Sequence, residues 1–333
     1  MSLLHQTKLL IADTYAHELA ASIKKARHDI AIIVTTLRAD DERSQAIISA
    51  LCDAADRGVA VSVFADTFTY LEPKEFLLFS PKRQPARALN AIKLERTLKS
   101  HGIQFHWLGR KANVILTGRT HTKWAVIDET IYAFGGVNLD NESFENIDYM
   151  FRLRNKQLAR LLLDEQAHIR RADRGGAGIR NHTIQLNSHT RVLFDGGLVG
   201  TSLIYRRTCA LARSARYITL VSQYCPTGPL IKILKRKHAT LYYNHWRNAS
   251  WVNRALIGLG MLTSKSSTEY FRDTYLHAKF AIFTMPDGSK VAISGSHNFM
   301  HGSGFVGTRE VAIETTDPSI ISQLESFCEQ YVA

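Results

Sequence analysis

Two copies of a histidine and lysine pattern are the residues of this sequence best suited to chemistry. In each copy a histidine and a lysine are separated by one residue, and an asparagine follows downstream. The members are His121, Lys123 and Asn138 in the first copy and His277, Lys279 and Asn298 in the second. An imidazole can attack phosphorus or protonate a leaving oxygen, while ammonium and amide groups can hold the non-bridging oxygens of a phosphate. The two copies therefore predict one active site that cleaves phosphodiesters.

Small residues recur just before both asparagines. The first copy has Gly135 and Gly136, and the second has Gly295 and Ser296. The second copy is longer between its histidine and its asparagine, and Met285–Ser289, which contains an Asp-Gly step, can supply the extra residues as a turn. The recurrence of the whole pattern favours an internal duplication over chance.

The elements that must position these residues alternate between strand and helix. Asp29–Leu37 and Val59–Asp66 have strand composition, and Glu42–Gly58 between them has helical spacing. Thr122–Asp128 and Ala278–Phe283 are also expected to be strands, in which a histidine and a lysine two residues apart would project from one face. The same plan restarts after a polar, glycine-rich stretch. We therefore expect an α/β fold of two similar half-domains, each with a mixed sheet flanked by helices.

The expected domain boundaries follow this repeat. They are a first half at residues 1–172, a linker at 173–189 and a second half at 190–333, each half with one motif. A length of 333 residues agrees with two halves, because single hydrophobic cores usually stop growing below this size.

Charge and cysteine content narrow the class of protein. The net charge of +12 favours a polyanionic partner, either nucleic acid or an anionic membrane. The four cysteines lie far apart without a Cys-x-x-Cys pair, so neither a zinc site nor a disulfide framework is indicated, and a reduced, cytoplasmic protein is expected. No segment reads as a signal peptide or a membrane span. The sequence does not indicate an oligomeric state.

The two motifs resemble the duplicated H-x-K-x4-D motifs of the phospholipase D superfamily, and the second half resembles its cardiolipin synthase and phosphatidylserine synthase branch. The resemblance covers nearly the whole chain and implies a pseudo-twofold fold with a phosphohistidine intermediate. It assigns nucleophilic attack to His121 and acid and base catalysis to His277. It also implies that no metal or other cofactor is needed. The implied phosphate-binding residues are Lys123, Lys279, Asn138, Asn298 and Ser296, and the motif residues that support the fold are Asp128, Gly135, Gly136 and Gly295.

A carboxylate should orient each histidine through its second ring nitrogen. Asp148 and Glu310, on the strand that follows each motif, are the candidates, as in relatives of this superfamily. The second motif departs from the pattern because Thr284 stands where the first has Asp128, and Gly136 replaces the serine that Ser296 retains.

The substrate class depends on weaker signals. The long segment Thr67–Arg87 contains Phe76–Phe79 between cations, which is typical either of a membrane anchor or of a short buried helix that covers a core. Ala255–Leu262 could line an acyl groove, although such a run more often belongs to a core. Against this, the basic run Lys235–His238 with nearby aromatic residues suits single-stranded nucleic acid. We predict a peripherally membrane-associated phosphatidyltransferase or phospholipase similar to cardiolipin synthase, with a metal-independent nuclease as the alternative and a catalytically silent lipid-binding protein as the third hypothesis.

Overall fold

The computed structural model describes residues 7–70, 86–109, 119–175, 179–248, 258, 261, 266–302 and 307–333. The elements of the first half are β1 (Lys8–Ile11), α1 (Ala12–Lys25), β2 (Asp29–Val34), α2 (Glu42–Asp56), β3 (Ala60–Asp66), α3 (Ala86–Ser100), β4 (Gln104–Leu108), β5 (Trp124–Ile127), β6 (Thr130–Ala133), α4 (Asn141–Glu145), β7 (Tyr149–Arg154) and α5 (Lys156–Gly175). Those of the second half are β8 (His182–Gln185), β9 (Thr190–Gly196), α6 (Leu203–Ser214), β10 (Tyr217–Val221), α7 (Pro229–Leu234), β11 (His238–Tyr242), β12 (Phe280–Thr284), β13 (Lys290–Gly295), β14 (Arg309–Thr315) and α8 (Pro318–Phe327).

Each half is built on a seven-stranded mixed sheet, and the two sheets share one plan. Their strand orders are β4-β3-β2-β5-β6-β7-β1 and β11-β10-β12-β13-β14-β9-β8. In both sheets one inner strand, β2 or β10, has a parallel neighbour on one side and an antiparallel neighbour on the other. Strands β2, β5, β6 and β7 therefore correspond to β10, β12, β13 and β14. The α/β fold with two similar halves that the sequence predicts is confirmed.

Local sequence explains where several elements begin. The run Asp29–Val34 is almost continuously apolar because helices cover both faces of its sheet. Helix α2 begins with a capping box, in which the side chains of Asp41 and Ser44 each accept a hydrogen bond from the backbone N–H of the other. Helix α8 begins at Pro318, and the side chain of Asp317 caps it.

The helices and sheets form five layers with three cores. Helices α1, α2 and α3 cover the outer face of the first sheet, and α6 and α7 cover the outer face of the second. The inner faces of both sheets, together with α5 and α8, share one apolar cluster that includes Ile33, Phe151, Phe280 and Val311. Because this core is common to both halves, it fixes the position of one sheet relative to the other.

Some elements differ from the sequence-based expectation. Helix α5 continues to Gly175 and β8 occupies His182–Gln185, so regular structure extends into the expected linker. Helix α8 ends at Phe327 and continues as a π-helical turn over Cys328–Val332. Strand β1 and helix α1 were not predicted. The expected anchor Phe76–Phe79 and most of Ala255–Leu262 lie outside the described residues. No described helix is both long and apolar enough to cross a membrane.

Candidate active site

The two histidine and lysine pairs lie in extended segments just before equivalent strands. Strand β5 begins at Trp124, directly after Lys123, and β12 begins at Phe280, directly after Lys279. The expectation that each pair lies within the strand is therefore wrong by two or three residues. The reason is that these segments bond to the opposite half instead of to a neighbouring strand of their own sheet.

Backbone hydrogen bonds between the halves hold both segments. The amides of His121 and Thr122 donate to the carbonyl of Arg309 at 2.9 and 3.1 Å. In the matching place, the amides of His277 and Ala278 donate to the carbonyl of Ile147 at 2.9 and 3.0 Å. Each motif is thus joined to the residue that precedes the candidate carboxylate of the other half.

The histidine and carboxylate pairs are consequently crossed. Nδ1 of His277 lies 2.6 Å from Oδ2 of Asp148, and Nδ1 of His121 lies 3.2 Å from Oε1 of Glu310. A carboxylate that accepts the Nδ1 proton leaves Nε2 of the same ring available to a substrate. Both carboxylates are almost fully buried. The two histidines and the two carboxylates therefore meet in one cluster. The crossing of the pairs is the feature that sequence spacing did not indicate.

The pKa values of the two carboxyl groups keep them charged at neutral pH. Burial acts to raise the pKa of Glu310, but the nearby His121 and the hydrogen bonds from His121 and Ser296 outweigh it and lower the pKa to about 2. Burial also acts to raise the pKa of Asp148, and its contacts with His277 and the charge of Lys279 lower it overall. Each histidine thus has a negative charge beside its Nδ1.

The two histidines differ in their surroundings. The side chain of His277 is 14% exposed and that of His121 is 30% exposed. Burial and the charge of Lys279 lower the pKa of His277 to about 4, although Asp148 acts in the opposite direction. At pH 7 His277 is therefore a neutral imidazole with its Nδ1 proton directed at Asp148.

Both lysines are buried and carry weakened charges. Burial lowers the pKa of Lys123 to about 8 and that of Lys279 to about 7, and the charges of Asp148 and Glu310 offset only part of this effect. Nζ of Lys123 donates to Thr35 Oγ1 and to the carbonyl of His121, both at 2.8 Å, and Nζ of Lys279 donates to the carbonyl of His277. An anion bound between them would favour the charged form of both lysines.

The predicted phosphate-binding amides lie at the ends of β6 and β13. Oδ1 of Asn138 accepts from the amides of Thr35 and Thr36, each at 3.3 Å, so its NH2 group is directed away from this turn. Oδ1 of Asn298 is buried without a hydrogen-bond partner among the described residues. The Ser296 hydroxyl donates to Oε2 of Glu310 at 2.5 Å and so supports the carboxylate.

The motif glycines are required by close packing. A Cβ at Gly135 would collide with the backbone of Tyr149, and one at Gly295 would lie 2.6 Å from Cα of Ala312. A Cβ at Gly136 would lie 3.0 Å from Oδ1 of Asp148 and still nearer to its Oδ2. Gly136 therefore leaves room for the carboxylate that contacts His277.

Asp128 lies away from this cluster. Its carboxylate accepts the backbone amides of Arg27, His28 and Asp29 at 2.9–3.1 Å and fixes the start of β2. The carbonyl of Thr284, in the matching place of the second half, accepts a hydrogen bond from the amide of Arg216 at 2.8 Å. The replacement of Asp128 by threonine in the second copy thus changes a turn and leaves the cluster intact.

Sequence reasoning missed two further polar residues that hold the motifs. Asp66 Oδ2 accepts from the amide of Thr120 at 2.8 Å, and Asn244 Oδ1 accepts from the amide of Leu276 at 2.9 Å. Asp66 is the last residue of β3, and Asn244 lies two residues after β11; these strands are the parallel neighbours of β2 and β10. Each polar residue fixes the residue just before a motif histidine. The available signal was a polar residue that ends an apolar strand, the usual position for functional groups in such sheets.

Comparison with known proteins finds similarity to proteins of the phospholipase D type. A family model described as "Cardiolipin synthase, PLD-like domain" matches residues 19–169. Phosphatidylserine synthase from Haemophilus influenzae Rd KW20 matches this chain with a TM-score of 0.72 and 12% identity, over 98% of this chain and 85% of the synthase chain. Polyphosphate kinase from Porphyromonas gingivalis matches with a TM-score of 0.61 and 14% identity, over 96% of this chain and 49% of the kinase chain.

At these identities the solved structures show a shared fold and no more. No curated protein sequence matches the chain. The resemblance to the phospholipase D superfamily that the two motifs predict is confirmed by the family model over residues 19–169 and by the shared fold.

Proposed function

We propose that this protein is a phospholipid phosphatidyltransferase or phospholipase similar to cardiolipin synthase, which acts through a phosphohistidine at the surface of an anionic membrane. The observation that carries the proposal is the single buried cluster of two histidines, two carboxylates and two lysines. Such a cluster supplies a nucleophile, an acid and two cations for one phosphate without another group.

The proposed reaction has two displacement steps. In the first, Nε2 of one histidine attacks phosphorus, the bond between phosphorus and the leaving alcohol breaks, and the second histidine gives its proton to the departing oxygen. In the second, the same histidine takes a proton from the acceptor, whose oxygen attacks phosphorus and releases the first imidazole. The acceptor is water in a hydrolase and an alcohol in a transferase.

The roles of the two histidines are part of the proposal. The family resemblance assigns attack to His121, whereas the low pKa of His277 supports the opposite assignment. A nucleophile must be neutral, and His277 is neutral at pH 7 with its Nδ1 proton held by Asp148. We therefore propose His277 as the nucleophile and His121 as the acid and base, with Lys123 and Lys279 on the phosphate oxygens.

An exposed apolar side chain near the motif end of the sheets supports a lipid substrate. Val199 is 64% exposed and follows β9, whose last residue, Gly196, pairs with Arg309 beside the first motif. An exposed apolar group beside a phosphodiester site suits the interface of a membrane better than a polar solvent.

The strongest sequence argument for a nucleic-acid substrate is the basic run Lys235–His238, and its position in the sheet weakens this argument. Lys235 and Arg236 are exposed, but they precede β11, whose first residue, His238, pairs with Tyr217 at the start of β10. The motif histidines and lysines lie at the other ends of these two strands. Tyr243, one of the aromatic residues of that run, is fully buried and cannot stack on a base.

The test is a direct comparison of substrates in EDTA. Purified protein is incubated with phosphatidylglycerol vesicles and, separately, with single-stranded and duplex DNA, and a matched H121N/H277N variant serves as the control. We expect turnover of the lipid that the double variant lacks. EDTA-resistant cleavage of DNA without lipid turnover would replace this function with that of a nuclease, and no cleavage of either would leave a lipid-binding protein.

A further inference from the structure

A third buried histidine, His297, stands between Ser296 and Asn298 of the second motif and has no part in the proposed reaction. Its side chain is almost fully buried. Nδ1 of His297 accepts a hydrogen bond from the backbone amide of Phe299 at 2.9 Å. A side-chain acceptor that binds the amide two residues later closes the same kind of turn that asparagine and aspartate form. His297 therefore closes a turn around Asn298.

This turn holds the backbone in an unfavourable conformation. Phe299 has a φ of 53°, in the left-handed region that residues other than glycine rarely adopt. The carbonyl oxygen of Asn298 accepts a hydrogen bond from the Ser222 hydroxyl at 3.0 Å. Oδ1 of Asn298 has no hydrogen-bond partner in the described part of the chain. The backbone bonds of the turn therefore hold this asparagine in place.

A chain of hydrogen bonds runs from the turn to a buried carboxylate. The Phe299 amide can donate to Nδ1 of His297 only if this nitrogen carries no proton, so the proton of the neutral ring lies on Nε2. Nε2 lies 3.5 Å from the Ser202 hydroxyl oxygen, which donates its own proton to Oδ2 of Asp195 at 2.5 Å. Burial lowers the pKa of His297, against the charges of Glu310 and Asp195, and so favours the neutral ring. Each link of the chain thus has one donor and one acceptor.

The matching positions of the first half carry apolar residues. Val137 stands in the place of His297, and Ala12, the first residue after β1, stands in the place of Asp195 in the strand register. Asn138 is held through its own side chain instead, because its Oδ1 accepts from two backbone amides just after β2. The polar chain therefore occurs in the half whose asparagine is not held by its side-chain oxygen.

We propose that this chain, which begins at Asp195 and ends at His297, positions Asn298 to bind the substrate phosphate. The carboxylate sets the direction of every hydrogen bond in the chain, so Nδ1 stays an acceptor and the turn stays closed. The inference rests on the proposed function, because it takes Asn298 as a phosphate ligand. Asp195 also caps α6, since its Oδ1 accepts from the amide of Leu203 at 2.6 Å. A substitution that tests the chain must therefore keep this cap.

Asp195→Asn keeps the shape of the side chain but reverses the chain. The single amide oxygen of asparagine keeps the cap of α6, and the NH2 group donates to Ser202. The Ser202 hydroxyl oxygen already accepts from the amide of Tyr205 at 3.0 Å, so its proton must turn towards Nε2 of His297. The imidazole proton then lies on Nδ1, opposite the Phe299 amide, and the turn opens.

The first measurement is the tautomer of His297, read by nitrogen NMR on protein with isotope-labelled histidine. We expect the proton on Nε2 in the wild type and its loss from Nε2 in Asp195→Asn. Asp53→Asn, at an exposed acid on α2, makes the same change of charge and should leave the tautomer unchanged. A proton on Nε2 in both the wild type and Asp195→Asn would overturn the role of the carboxylate.

The second measurement is the dissociation constant of inorganic phosphate, from a phosphorus NMR titration of the full chain. Asp195→Asn and His297→Val should each weaken phosphate binding at least about fivefold, the effect of one hydrogen bond. His297→Asn should restore most of the affinity, because asparagine can close the same turn. An equal loss in His297→Asn and His297→Val would overturn the proposal, since the ring and not the turn would then matter.

A combination of substitutions shows whether the effect passes through Asn298. His297→Val should cause no further loss of phosphate affinity in an Asn298→Ala background and should keep its full effect in an Asn138→Ala background. Weaker phosphate binding in Asn298→Ala, with unchanged binding in His297→Val, would overturn this inference and leave the proposed function intact. Unchanged binding in Asn298→Ala would overturn both the inference and the role of Asn298 in the proposed site.

Discussion

The crossed pairs predict that each carboxylate stabilises and orients the histidine of the opposite half. The test measures the unfolding free energy in a set of double-mutant cycles. The substitutions are His121→Asn, His277→Asn, Glu310→Gln and Asp148→Asn. Two cycles join the crossed partners, His121 with Glu310 and His277 with Asp148, and two join the uncrossed ones. Only residues in direct contact should show a large coupling energy.

The magnitude follows from the environment of Glu310. Its pKa is about 2 against an ordinary value of 4.5, a difference of about 2.5 units, which corresponds to about 3 kcal/mol in favour of the charged form. Because the side chain is almost fully buried, little of this is lost to solvent. We expect coupling energies of about 1–3 kcal/mol in the crossed cycles and clearly smaller values in the uncrossed ones. Glu310→Gln should also lower kcat/KM at least about tenfold, because it removes the charge that lies beside Nδ1 of His121.

Unfolding is followed by circular dichroism in denaturant at pH 7, and activity is followed on a soluble phosphodiester. The surface pair of Lys290 and Glu325, 2.5 Å apart, provides a control cycle that should give only about 0.2–1 kcal/mol. The stability that Glu310 contributes should persist above its unfolded pKa, near 4.5, and disappear as the pH falls towards 2. Coupling between His121 and Asp148 that equals the coupling between His121 and Glu310 would refute the crossed arrangement.

Three further predictions concern the same cluster. Lys279 and Lys123 have pKa values of about 7 and 8, so the affinity for inorganic phosphate as a competitive inhibitor should fall as the pH rises from 7 to 9. Lys279→Arg should weaken this pH dependence, because arginine stays charged. A flat profile in the wild type would contradict the prediction. Rapid quenching with labelled substrate should leave the phosphoryl group on His277, and an adduct that survives in His277→Asn but is lost in His121→Asn would return attack to His121. Gly136→Ala should displace the carboxylate of Asp148 and lower kcat/KM at least about tenfold. The control Gly175→Ala, at a site with open space, should leave kcat/KM unchanged. Equal activity of both variants would show that the carboxylate tolerates the shift.

The repeat and the central strands of the fold could be predicted from the sequence because they depend on local patterns. Apolar runs such as Asp29–Val34 have a composition that only a buried strand satisfies. The recurrence of His-x-Lys with downstream glycine then gave the correspondence between halves, and this correspondence extends to the strand order. The strand β8 could not be predicted, because His182–Gln185 is polar and partly exposed and gains its structure from pairing with β9.

The crossing of the pairs could not be predicted for a different reason. Asp148 and Glu310 were identified from their places after each motif, but sequence distance favours a pairing within each half. The observed pairing depends on how the shared core sets one sheet against the other, which brings the carbonyls of Ile147 and Arg309 to the opposite motif. The low pKa values of the lysines likewise arise from burial by both halves together.

The crossed arrangement also explains how the two copies could diverge without loss of the cluster. Each half supplies a histidine to one pair and a carboxylate to the other, so neither half contains a complete pair and both must keep these residues. The residues around the carboxylates are less constrained, provided that each acid stays in place. Asp148 is held by the backbone amides of Gly136 and Tyr149, at 3.2 and 2.8 Å, whereas the longer Glu310 is held by the Ser296 hydroxyl. Gly136 beside Asp148 and Ser296 beside Glu310 therefore both allow the neighbouring carboxylate to be held in place. The first copy lacks the serine, but its carboxylate is still supported.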